Sequence, residues 1–149
     1  MIAAAAICLI VAISDGDTVK ARCGEPGASQ QVSVRLAEID APESAQAYGK
    51  RSKAALSVLC FGVWATIKPL ARDGYGRTVA RLECRGKDAS SEQVRQGMAW
   101  AFTRYLTDPE IKRLEEGARA SRAGLWDDPE PLAPSDWRAS QRLKPSGLR

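Results

Sequence analysis

Asp15-Gly16, set between residues 7–13 (ICLIVAI) and 18–23 (TVKARC), constrains the fold more than any other feature of this chain. Both flanks are rich in β-branched and apolar residues, and Asp-Gly supplies the backbone angles of a tight turn, so a β-hairpin is expected. If Ser14-Asp15-Gly16-Asp17 is a two-residue hairpin turn, Ser14 faces Asp17 and, keeping register, Cys8 faces Cys23. Directly opposed strand residues have the Cα separation a disulfide requires. Cys8–Cys23 with Cys60–Cys84 is therefore the expected pairing, and it implies an oxidising compartment. Reduced, buried cysteines are the alternative. No two of the four cysteines have C-x-x-C spacing, which argues against zinc.

Further along, residues 24–29 hold Pro26 and Gly27 and read as a second turn. Val32, Val34 and Leu36 then alternate with Ser33, Arg35 and Ala37, so Arg35 is expected on the face opposite the apolar residues. Ala55, Leu56 and Leu59 have helical spacing within residues 48–60, and Gly62 is a stop. Residues 64–70 and 78–84 are expected strands joined through Asp73-Gly74-Tyr75-Gly76. Asp88 or Ser90 can cap a second helix through Val94 and Met98, with Ser90-x-x-Gln93 as a capping box. A third begins at Asp108-Pro109, carries Ile111, Leu114 and Ala118 on one face, and stops near Gly124. This order fits an α+β fold: a five-stranded Greek-key barrel of the oligonucleotide-binding (OB) type with three helices packed on it.

One domain over residues 1–127 is expected, followed by a proline-containing basic tail over 128–149. The net charge of +4 lies entirely in Arg138, Arg142, Lys144 and Arg149, because residues 1–137 carry 18 basic and 18 acidic side chains. Such a tail reads first as a solvated terminus. Hydrophobic residues make up 44% of the chain, yet no apolar run approaches the roughly 18 residues of a membrane span. The expected form is a monomer without a membrane anchor or an obligate protein partner. Residues 1–6 lack the basic start and cleavage site of a signal peptide, and residues 7–13 are needed as a strand, so a secreted or periplasmic location implies that the export signal is missing from this sequence.

There is no histidine, which removes imidazole acid/base chemistry and histidine-ligated metals. Three stretches then carry the chemical interest: Asp15-Gly16-Asp17-Thr18, Arg35 through Asp40-Ala41-Pro42-Glu43, and Tyr75-Gly76-Arg77. Singly, each has a bland explanation as turn, strand exit or surface charge. Together they supply what phosphodiester hydrolysis needs. Asp17 and Asp40 can give a hard divalent ion two carboxylates, and the backbone carbonyl of Ala41 a third ligand. Glu43 is the candidate to position or deprotonate the attacking water. Arg35 and Arg77 suit the negative charge that builds on the phosphoryl oxygens.

The sequence resembles the staphylococcal nuclease (thermonuclease) family through Asp15-Gly16-Asp17-Thr18-Val19-Lys20, Val34-Arg35-Leu36, Ile39-Asp40-Ala41-Pro42-Glu43, Tyr75-Gly76-Arg77, Val94-Arg95-Gln96-Gly97 and Gly124-Leu125-Trp126, spanning roughly residues 7–127. The resemblance implies Ca²⁺ held by Asp17, Asp40 and the Ala41 carbonyl, with Asp15 in the ion's outer sphere. It further implies Glu43 acting on water, Arg35 and Arg77 on the phosphate, Tyr75 at a terminal phosphate and Tyr105 lining a nucleotide pocket. Substrates would be DNA and RNA, cut to 3′-phosphate ends. Two departures stand out. Only Ser44, Ala45, Gln46 and Ala47 separate Glu43 from Tyr48, where the staphylococcal enzyme has a longer lysine-rich loop, and Thr103 stands where it has a base-packing tyrosine. Trp100 and Phe102 are candidate substitutes, although alternation favours core packing for at least one of them.

The competing reading is an OB-type module that holds single strands without cleaving them. Asp17, Arg35, Asp40, Glu43 and Arg77 argue against it, since binding alone needs neither a base nor metal carboxylates. A disulfide-stapled structural domain explains only the cysteines.

Overall fold

The computed structural model describes residues 4–102 and 107–143. Its centre is a closed barrel of five strands: β1 (Ala6–Asp15), β2 (Thr18–Cys23), β3 (Gln30–Leu36), β5 (Trp64–Arg72) and β6 (Thr78–Cys84). The ring runs β3-β2-β1-β5-β6, and a parallel β3–β6 pairing closes it. That is the expected OB topology, in which closure removes the exposed edges that an open sheet would leave. Short pairs complete the sheets: β4 (Ile39–Asp40) with β8 (Trp100–Ala101), and β7 (Lys87–Asp88) on β6.

β1 serves two neighbours, pairing with β5 through its first residues and with β2 through its remainder. The hairpin turn lies one residue later than the sequence suggests: Asp15, not Ser14, closes it, opposite Thr18. Register shifts between Ile10 and Ala12 and between Ile13 and Asp15 then insert two unpaired residues into β1, so that Leu9 faces Arg22. Cys8 therefore still meets Cys23, with Cα atoms 4.7 Å apart, and Cys60 at the end of α1 joins Cys84 at the end of β6, 5.4 Å apart. Bulges bend a long strand around a small barrel, which is the role they have here.

Ile10, Val19, Val34, Leu36, Ile67 and Leu82 fill the barrel and are fully buried, as are Leu56 of helix α1 (Gly49–Cys60) and Ile111 of helix α3 (Pro109–Ser121). Asp88 caps helix α2 (Ala89–Arg95) by accepting from Ser91 N–H. The Ser90-x-x-Gln93 box does not form. Ser90 Oγ instead donates to the Ala37 carbonyl, and the Gln93 amide donates to the carbonyls of Gly16 and Ser52, because both side chains lie in the core. α3 starts as expected, Asp108 capping and Pro109 in its first turn, and ends with Arg122 in the left-handed conformation.

Behind α3, Trp126 and Trp100 pack with ring centroids 4.5 Å apart, and the Arg119 guanidinium lies 4.1 Å from the Trp126 ring. The 3-10 turn Gly124–Asp127 reaches this place because two backbones touch at Gly97 and Gly124: a Cβ on Gly97 would fall 2.0 Å from the Ala123 oxygen. The described residues contain four helices rather than three. The fourth, α4 (Pro134–Arg142), lies within the stretch expected as a tail. None of the helices among the described residues is long and apolar enough to cross a membrane.

Candidate active site

The end of the barrel at which β2 begins and β3 finishes gathers the acidic and basic motifs. Thr18 is the pivot, since it pairs with Asp15 across the β1–β2 turn and with Arg35 across β2–β3. That register sets Asp17 beside Arg35. The Asp17 carbonyl accepts from Leu36 N–H at 2.8 Å, which ties the turn to the end of β3. Two residues on, β4 presents Asp40, and its pairing with Trp100 fixes the strand.

Asp17 is nearly fully buried and is held at both oxygens. Oδ1 accepts from Thr18 Oγ1 at 2.9 Å, and Oδ2 accepts from Ala41 N–H at 2.8 Å. The second bond draws the Asp40-Ala41 segment onto the hairpin turn. Arg35 Nη2 then sits 3.5 Å from Asp17 Oδ2 and 3.5 Å from Asp40 Oδ1, while Nη1 donates to the Leu36 carbonyl at 2.7 Å. Two carboxylates, one from the β1–β2 turn and one from β4, thus face one point. Asp15 stands behind them, accepting from Asp17 N–H at 3.0 Å.

Glu43 is placed by backbone. Its carbonyl packs against the first turn of α1, where a Cβ on Gly49 would lie 1.9 Å from that oxygen, so only glycine admits the approach. Glu43 N–H donates to Gln46 Oε1 at 3.1 Å, and the Gln46 amide donates to the Leu132 carbonyl at 2.7 Å. The four-residue link to Tyr48 is therefore pinned to the segment leading into α4.

An arginine that the sequence does not point to completes the cluster. Arg138 of α4 donates from Nη1 to Glu43 Oε1 at 2.6 Å and from Nη2 to Asp40 Oδ2 at 3.2 Å. It lies 95 residues from Glu43 in a proline-rich segment, so neither spacing nor periodicity signals the contact. Next to it, Trp137 lines a cavity of about 230 Å³ with Pro42, Tyr48, Trp100, Leu125 and Leu132.

Burial shows in the carboxyl groups, and like charge adds to it at Asp15. Burial and the adjacent Asp17 charge push Asp15 up to about 7. Asp40 is also raised, by burial, although hydrogen bonds from Arg138 pull the other way. The Arg138 guanidinium is held more firmly protonated than an ordinary arginine: burial opposes its charge, but Glu43 and Asp40 outweigh that. Low-dielectric crowding of like charges favours a bound cation.

Among the described residues, no three Asp, Glu, Cys or His side chains form a ready metal cage. The donor set nevertheless fits a hard divalent ion, which takes carboxylates, backbone carbonyls and several waters together. Asp17 and Asp40 already converge on one cationic group, with Asp15 behind them.

Arg77 stands apart from the carboxylates in its contacts. Continuing the parallel β3–β6 register puts it alongside Ser33, on the outer face that carries Arg35. Its Nε donates to Asp73 Oδ2 at 2.6 Å, and its guanidinium lies 5.3 Å from the ring of Tyr75, which is 88% exposed. Trp100 is half-buried against Trp126. Tyr105 and Thr103 lie outside the described residues.

The family described as "Staphylococcal nuclease homologue" matches residues 33–128. Over 136 residues the chain is 41% identical to a protein named "Uncharacterized endonuclease" from Haemophilus influenzae, covering 91% of this chain and 75% of that one. It is 38% identical over 140 residues to "Protein ParB" of Escherichia coli, with 87% and 77% covered. A third relative, "Micrococcal nuclease" of Shigella flexneri, is 37% identical over 144 residues, with 89% and 80% covered.

Proposed function

Since the chain belongs to the staphylococcal nuclease family, we propose that it is a Ca²⁺-dependent nuclease, hydrolysing DNA and RNA endonucleolytically by attack of water on phosphorus and leaving 3′-phosphate ends. The observation that carries this reading is the convergence of Asp17, Asp40 and Arg35 at one end of the barrel, with Glu43 on the same edge. The names of the Haemophilus and Shigella relatives support it. Two disulfides support a secreted or periplasmic location, since such bonds persist in oxidising compartments. Residues 1–127 form the nuclease domain in this reading, and 128–149 are a basic extension whose helix docks on the site.

Asp17, Asp40 and the Ala41 carbonyl would hold the ion, with Asp15 behind them. When bound, a hard divalent ion lowers the pKa of coordinated water and draws charge from a phosphoryl oxygen. The protein's own groups do the rest. Glu43 takes the proton of the attacking water, a role it performs only when its carboxylate is free of a tight cation. Arg35, anchored through Nη1 on the Leu36 carbonyl, presents the remainder of its planar fork to the phosphate. Arg77 approaches from the neighbouring strand once it exchanges Asp73 for substrate, and Tyr75 and Tyr105 contact the flanking nucleotide.

The test is Arg35→Lys, assayed on single-stranded DNA and RNA with analysis of product ends. A planar fork matched to developing charge predicts a loss of about 10²-fold or more in kcat, while thermal stability stays near wild type. Retention of most activity, or products with 5′-phosphate ends, would contradict the assignment.

A further inference from the structure

We propose that Arg138 is a built-in competitor of the divalent cation: α4 seats its guanidinium on Asp40 and Glu43, and metal enters only as that guanidinium withdraws. The inference rests on the Ca²⁺ reading above and adds a control to it.

Asp40 has a guanidinium on each oxygen, Arg35 at 3.5 Å from Oδ1 and Arg138 at 3.2 Å from Oδ2. An ion binding Asp40 directly must compete with these two cations for the same oxygens. Arg35 is anchored within its own strand by the Leu36 carbonyl, and its side chain is only 13% exposed. Arg138 comes from a surface helix and is 37% exposed, which makes it the cation that can leave. The contact is also unproductive for hydrolysis. The guanidinium occupies Glu43 Oε1 at 2.6 Å, a place that a water to be activated would have to take.

α4 is fastened lightly. It has no side-chain cap at its N-terminus, its one buried residue is Pro134, and the approximately 230 Å³ cavity lies beneath Trp137. Gln46 holds the preceding Leu132 carbonyl and so ties the helix down at its start, before Arg138 in its middle. Loosely packed, solvent-exposed elements of this kind open at small free-energy cost.

The experiment titrates Ca²⁺ calorimetrically into the full, oxidised chain in three forms: wild type, Arg138→Gln and Arg142→Gln. The last removes the same charge from the same helix. Amide hydrogen exchange across residues 134–142 of the wild type is followed with and without Ca²⁺. Arg138→Gln should bind Ca²⁺ about fivefold more tightly, the effect of removing one partly exposed ion pair. Arg142→Gln should stay within about twofold of wild type, and Ca²⁺ should speed exchange in 134–142. Equal or weaker affinity for Arg138→Gln, an equal gain from Arg142→Gln, or exchange unchanged at saturating Ca²⁺ would each overturn the proposal. Should Arg138→Gln fail to fold, the wild-type exchange result decides alone. If no form binds Ca²⁺, the metal reading itself falls; binding with equal affinity in all three sinks only the competition.

Discussion

Glu38→Ala should destabilise the protein by about 3 kcal/mol at neutral pH. Glu38 is 8% exposed, and its Oε1 accepts from Thr107 N–H at 2.6 Å, Thr107 Oγ1 at 2.9 Å and Asp108 N–H at 2.6 Å. Oε2 pairs with Arg81 Nη1, and Arg81 also holds Asp88 at 2.7 Å. One carboxylate thereby joins the turn before β4 to the start of α3. Hydrogen bonds to a charged group contribute about 1.5–3 kcal/mol each but are not additive, and removing one member of a buried ionic cluster costs about 3–5 kcal/mol. Arg81 retains Asp88 and Asp108, which places the expectation at the lower end. For a chain of this size that corresponds to a fall of roughly 10 °C in Tm. Burial pushes the Glu38 carboxyl up, but the bonds from Thr107, Asp108 and Arg81 outweigh it and hold the group below the ordinary glutamate range. A depressed carboxylate stabilises fully above its unfolded pKa of about 4.3, and that stability disappears as pH falls through the folded value. Urea unfolding of the oxidised protein, followed by far-UV circular dichroism, should show the full difference at pH 7 and a shrinking one below about pH 4. A difference under about 1 kcal/mol at pH 7, or one that persists undiminished in acid, would refute the reasoning.

Gly97→Ala should be more damaging than an ordinary glycine substitution. It requires a Cβ at φ +69° and 2.0 Å from a backbone oxygen, so a loss of about 3 kcal/mol or more in urea unfolding is expected, and near-wild-type stability would show that the Gly97–Gly124 contact yields easily. Replacing Cys60 and Cys84 together by serine opens a loop of 24 residues and should lower stability by about 3 kcal/mol, measured by thermal unfolding against the wild type under the same oxidising conditions. An unchanged Tm would mean that the bridge is not formed in solution.

Local signals made the barrel legible, and distant contacts hid the rest. Asp-Gly between two β-rich runs announced the hairpin, and alternation put Arg35 on the outer face, because turn chemistry and strand period act over a few residues. The Cys8–Cys23 bridge followed from a turn placed one residue early, an error that two bulges in β1 cancelled. Bulges answer to barrel closure, which no local pattern encodes. Ser90 and Gln93 matched a capping box, yet burial drew both side chains to carbonyls in the core. At the site, motif spacing identified Asp17, Arg35, Asp40 and Glu43 but said nothing of Arg138. Its position depends on α4 docking through Gln46 and the Trp137 cavity, and a basic, proline-rich segment carries no trace of that in its composition. Arg77 was expected at the site from its motif; the structure shows it on Asp73, a contact that is a product of the hairpin's own geometry.

The most direct test of the account is degradation of single-stranded DNA and RNA by the purified, oxidised protein in Ca²⁺ or in a Ca²⁺ chelator, beside Glu43→Ala. The account predicts cleavage of both polymers that stops with the chelator and falls by two or more orders of magnitude in a Glu43→Ala protein that remains folded. Folded wild-type protein that binds single strands in ample Ca²⁺ without cutting either one would contradict it, and would make this barrel a binding module.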